Sequence, residues 1–245
     1  MKTSNPTLNQ KIIRDFAYQG TDTEVMTIQG TVNKVAILFL LTMFSAVFTW
    51  NKVFAGVNVG GWVMAGAIGG FILALITMFN KKNAAIWAPL YAVFEGLFLG
   101  GISAMFAHIY EGIVMRAVIL TMGVLFTMLF MYKSRMIKVT QKFRTGVMAA
   151  TMGIAIAYFF TFILGLFGMN MSFMYGGGTL GIIISLVIVG VAALNLVLDF
   201  DFIEKGSQAG LPTYFEWYGA FGLMVTLIWL YLEILRLLAI LQGRN

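Results

Sequence analysis

Polar and charged residues crowd into the first 33 positions and a few short joints, and between them the chain runs apolar for 16 to 25 residues at a time. About 20 apolar residues in a helix cross the roughly 30 Å hydrocarbon layer of a bilayer. Seven stretches meet or approach that length, at 35–50, 59–79, 85–109, 114–132, 147–168, 177–201 and 218–241. The first is short alone and extends into Thr31–Lys34 or Asn51–Phe54. The runs are continuous, as in VAILFLLTMFSAVF from Val35, and do not alternate every second residue. Barrel strands alternate, so the pattern predicts helices. The joints are short apart from a basic loop at 133–146 and a mixed one at 202–216, which leaves no room for a soluble domain between spans. The reading is a polar tail, 1–33, followed by a transmembrane domain, 34–245.

Composition agrees with the pattern. The chain is 60% hydrophobic and 11% charged, whereas a soluble domain averages about 45–50% apolar and about a quarter charged. The excess must face lipid, and the fold class is an all-α integral membrane protein. The polar start lacks the charged-then-apolar order of a secretory signal peptide. A net charge of +6 raises the question of nucleic acid, and the position of the charges answers it. With the tail in the cytoplasm, twelve of the sixteen Lys and Arg fall on the inner side, which orients the N-terminus inside and the C-terminus outside. Five of them sit in the loop from Lys133 to Arg144. That loop serves as a topology determinant and could hold anionic lipid. No basic surface interleaved with aromatics is present, so the expected partner is the bilayer and not nucleic acid.

Chemistry is scarce. There is no cysteine and one histidine, His108. Neither a thiolate site nor a multi-histidine zinc site can be built from that inventory, and no G-x-S-x-G, H-E-x-x-H or phosphate-cradling glycine loop occurs. The expectation is a non-enzyme without a cofactor. The 27 glycines fall largely inside spans, and the four-residue pairs Gly66/Gly70, Gly96/Gly100 and Gly177/Gly181 suit close helix packing. The triplet Gly176–Gly178 is either a hinge or a turn.

What remains are charges at membrane depth, which are costly there and default to a functional reading. They are Glu95 in YAVFEGLFLGG, Asp199 and Asp201 in NLVLDFDFIEKG, and Glu233 and Arg236 in LIWLYLEILRLLAIL. Glu233 and Arg236, three apart on one helix, share a face and could pair. Asp201 lies close to the inner edge, and Glu95 is either a buried helix contact or a pathway residue. Two carboxylates brought together in low dielectric cannot both ionise cheaply, so such a pair shares a proton or binds a cation. Oxygen ligands suit Ca²⁺.

The run LVLDFDFIEKG, followed by YFEWYGAFGLMVTLIWLYLEILRLLA, resembles the C-terminal signature of the Bax inhibitor-1 (transmembrane BAX inhibitor motif) family, most closely its bacterial Bax inhibitor-1/YccA-like branch. APLYAVFEGLFLGGIS is a weaker match. The resemblance implies a seven-transmembrane-helix bundle with the last helix central, in a bacterial cytoplasmic membrane. It also implies a pH-sensitive calcium leak whose sensor is a pair of acids on helices six and seven. The D-x-x-x-I segment puts the first acid on Asp199, with Ile203 four residues on, and the L-Y-L-(acid) segment puts the second on Glu233. Glu233 stands where the family has Asp, and the intervening loop is longer here. Hydropathy alone places Asp199 near the inner edge and Glu233 some 15 residues into span seven, about 23 Å of helix rise.

Two readings are therefore carried forward. In the first, Asp199 and Glu233 gate a cation leak, sharing a proton or paired with Arg236 or Arg116. In the second, the protein is a non-conducting regulatory partner of a membrane protease or of stress machinery, and the carboxylates only lock helices. A proton-coupled transporter is a third class, weakened by the lack of a clear inverted repeat.

Overall fold

A computed structural model describes residues 24–168 and 178–243. Among them are seven helices long and apolar enough to cross a membrane: α1 (Ile28–Phe54), α2 (Gly60–Phe79), α3 (Ala84–Ile109, entered through a short 3-10 turn at Lys81–Asn83), α4 (Ile113–Lys133), α5 (Gln141–Leu166), α6 (Thr179–Gln208) and α7 (Tyr214–Gln242). The β-type pairing in the described residues is one isolated bridge, Val25 with Pro212.

The helix ends follow capping chemistry more than hydropathy. Thr27 precedes α1 with an extended backbone, and its hydroxyl accepts from the Gly30 amide. Thr140 does the same for Phe143 at the start of α5. A side-chain acceptor at this position satisfies an amide that has no partner within the helix. Both flanks expected for the first span, Thr31–Lys34 and Asn51–Phe54, are helical. Gly176 and Gly177 lie outside the described residues, and Gly178 forms a bend just before α6.

The helices divide between two compact units. One draws on the described residues of Pro6–Glu111 and Asp201–Val225, the other on Gly112–Phe200 and Thr226–Asn245. In the first unit α3 packs against both α1 and α2, and glycines bring the backbones together. A Cβ added at Gly96 would come closer than 3.0 Å to the Thr42 carbonyl oxygen, and one at Gly66 would do the same to the Phe94 carbonyl. Gly100 is likewise closed off by the Ala46 carbonyl. Across that approach the Ser45 hydroxyl donates to the Val93 carbonyl at 2.6 Å. The Gly66/Gly70 and Gly96/Gly100 spacings thus serve helix packing, as small residues do in membranes. His108, the lone histidine, stacks on Phe54 with ring centroids 4.6 Å apart at the end of α3.

The first unit also holds a polar junction that hydropathy does not anticipate. The segment before α1 is tied to the start of α7: the Met26 amide donates to the Leu211 carbonyl at 2.6 Å and the Thr213 amide to the Glu24 carbonyl at 3.0 Å. Glu216, only 3% exposed, accepts from the Thr27 amide and hydroxyl, both at 2.8 Å, and from Lys34 Nζ at 2.6 Å. Three donors at the mouth of α1 are thereby satisfied by one carboxylate of α7. Of the seven helices α7 is the most buried: 56% of its most apolar stretch is covered, against 11% for α5.

Candidate functional site

An ionised side chain in a membrane interior persists when partners replace its water, so the partners of each buried acid indicate what it can do. In the second unit α7 carries Trp229, Glu233 and Arg236 at one-turn spacings on a common face. Trp229 Nε1 donates to Glu233 Oε1 at 3.3 Å, and Arg236 Nη1 lies 3.5 Å from Glu233 Oε2. The fourth member comes from α5. The Tyr158 hydroxyl donates to Glu233 Oε1 and accepts from Arg236 Nη1 at 2.7 Å, while the guanidinium sits 5.8 Å from the centre of the Tyr158 ring. A phenol can donate once and still accept, so Tyr158 bridges an anion and a cation without changing the net charge of the group.

Glu233 is 5% exposed and Asp199 is fully covered. Asp199 does not lie at the end of its helix as hydropathy suggests, because α6 continues nine residues further to Gln208. One turn before it, Asn195 donates to the Thr151 hydroxyl of α5 at 2.8 Å and to the Val191 carbonyl at 2.9 Å. Among the described residues Glu233 is held by Tyr158, Trp229 and Arg236. Asp199 lies nine residues before the end of α6 and Glu233 nineteen after the start of α7.

The other expected residues resolve individually. Asp201 pairs with Lys205 at 2.9 Å, one turn on. Glu95 accepts from the hydroxyl of Tyr91 and lies against α2, where a Cβ at Gly70 would be 3.1 Å from its Oε1. Arg116 is exposed in the first turn of α4. Solvent or headgroups can take its charge there, and among the described residues it forms no ion pair with Asp199 or Glu233. No group of three or more His, Cys, Asp or Glu suited to a metal occurs among the described residues.

A family described as Bax inhibitor 1 like matches residues 5–243, nearly the whole chain. The chain belongs to the Bax inhibitor 1-like family. No curated protein matches it, and no solved structure does. Within this Bax inhibitor 1-like chain the sequence pattern singled out Asp199, Glu233 and the i,i+3 pair of Glu233 with Arg236, and that pair is formed. It missed Tyr158, because a tyrosine inside an apolar helix reads as one more lipid-facing aromatic. The available signal was its position in mid-span, where a hydroxyl needs a partner. Trp229 was legible by its spacing, four residues before Glu233.

Proposed function

We propose that this Bax inhibitor 1-like protein is a proton-sensitive cation leak, with Ca²⁺ as the permeant ion. Asp199 on α6 and Glu233 on α7 are its charge sensors. The observation that carries the reading is Glu233, 5% exposed in a membrane-spanning helix and tied to Arg236 both directly and through Tyr158. Protonating Glu233 removes the anion that holds Arg236 and weakens the acceptor that holds Tyr158, which loosens the tie between α5 and α7. Asp199, fully covered on α6, is the second sensor. Glu95 and Asp201 are secondary pathway positions. The protein works without enzyme chemistry or cofactor, in a bacterial cytoplasmic membrane, with its N-terminus in the cytoplasm and its C-terminus outside.

The test is Ca²⁺ flux into proteoliposomes of purified protein across about pH 6 to 8, beside Asp199→Asn and Glu233→Gln. Flux that varies with pH and loses that variation in each variant is the expected result. An unchanged pH profile in both variants rejects the sensor assignment.

A second reading has its own support. The donors around Glu233 would equally serve to lock α5 to α7 in a non-conducting protein that binds a membrane protease or stress machinery. Folded protein without flux at any pH, together with a stable partner recovered from membranes, selects it.

A further inference from the structure

Between α5 and α6 runs a groove of about 370 Å³, lined by Gly153, Ala157 and Tyr158 on one side and Ile183, Val187 and Val191 on the other, with only apolar neighbours besides. Tyr158 supplies the sole polar atom type among its lining side chains. The groove exists because α5 is small at this level: a Cβ at Gly153 would meet nothing within 4 Å. It opens outward, since Ile183 and Val187 are 53% and 58% exposed.

Depth limits the occupant. Gly153 lies twelve residues after the start of α5 and thirteen before its end, about 18 Å of rise from either. Headgroups and water stay at the ends of such a span, and the molecules available at its middle are hydrocarbon tails. A second protein is the other occupant of an apolar groove, but a stable interface takes about 20–30 residues from each side, and ten line this one. From Ile183 to Val191 the groove follows eight residues of α6, about 12 Å, a length that matches a segment of one extended chain.

We infer that this groove is a binding site for one acyl chain of a membrane lipid, seated against the ring of Tyr158. The occupant therefore shares a wall with the Glu233–Arg236 pair, because the hydroxyl of that same ring donates to Glu233 and accepts from Arg236. A seated chain fixes the ring from the lipid side while the ion pair holds it from the protein side. The site does not depend on whether the protein conducts.

The probe is a phospholipid with a photoactivatable diazirine near the end of one acyl chain. It is incorporated with the purified full chain into vesicles, irradiated, and its adducts are mapped by mass spectrometry. Adducts are expected to concentrate on the groove residues of α5 and α6 over the equally apolar, exposed Phe126 and Phe130 of α4. In the doubly substituted Gly153→Leu, Ala157→Leu chain the groove adducts should fall about tenfold, the equivalent of about 1.4 kcal/mol of affinity, with those on α4 unchanged. If that chain does not yield folded protein, Val187→Trp closes the groove from its exposed edge and carries the same expectation. Adducts spread evenly over the groove and α4 overturn the proposal, because the groove is then ordinary boundary surface. Groove adducts that persist in the filled variants overturn it as well, as does a groove protected from lipid because two copies of the chain cross-link there.

Discussion

The phenol of Tyr158 on α5 donates to the carboxylate of Glu233 on α7, 75 positions along the chain, and the same oxygen accepts from Arg236. One hydroxyl thus serves both halves of the ion pair. Removing it leaves a carboxylate and a guanidinium each short of a partner where water is scarce, and this makes the contact measurable.

Tyr158→Phe keeps the ring and deletes the hydroxyl. It should lower stability by about 1–3 kcal/mol, the usual cost of a buried polar group left without its bond, read as a fall in the unfolding midpoint in detergent. Combined with Glu233→Gln, the two losses should fail to add by about 0.5–3 kcal/mol, as for residues in one hydrogen-bonded network. Additive losses would show that the contact carries no energy.

Gly96→Ala and Gly100→Ala each push a methyl group into a backbone carbonyl of α1. Each should destabilise by about 1–3 kcal/mol, the range for overpacking. Gly123→Ala is the contrast, because a Cβ there meets nothing within 4 Å, and it should be neutral or gain up to about 1 kcal/mol from helix propensity. Thermal unfolding of the three variants side by side decides. Equal losses at Gly96 and Gly123 would contradict the packing described for α1 and α3.

Glu216→Ala removes the acceptor for the Thr27 amide, the Thr27 hydroxyl and Lys34 at once. Hydrogen exchange should accelerate at the amides of Thr27 and Gly30 while the middle of α1 keeps its protection. Glu216→Gln, which retains one acceptor oxygen, should fall between the two. Unchanged exchange in Glu216→Ala would mean that the junction does not hold the start of α1.

The absence of native cysteine makes topology directly readable. With the basic 133–146 loop inside, a single cysteine at Lys138 should resist a membrane-impermeant thiol reagent in intact cells, and one at Asn58 should react. The reverse labelling would invert the orientation.

The existence of the helices was legible because lipid exposure forces apolar runs, and all seven fall where those runs lie. Their ends were not, because hydropathy sees only the apolar part. Glutamine, lysine and arginine continue α5 back to Gln141, and Glu204, Lys205 and Gln208 carry α6 beyond 201, since helix formation asks for backbone partners and not for oil. The same limit governed the site. Glu233 and Arg236 could be paired from their spacing alone, and Asp201 with Lys205 follows the same rule. Tyr158 with Glu233 and Lys34 with Glu216 join positions 75 and 182 apart. Such distances carry no periodic signal, so only the folded chain discloses them.

The junction at Glu216 also bears on how the protein is made. Lys34 leaves the ribosome 182 residues before its partner carboxylate, roughly 10 to 40 s earlier at ordinary rates of synthesis. Through that interval α1 enters the membrane with the amide of Thr27 and the ammonium of Lys34 served only by water and headgroups. Its entry point gains the Glu216 carboxylate only when the last helix arrives, so completion of translation, and not insertion of the first span, sets the time at which the start of α1 reaches its final form.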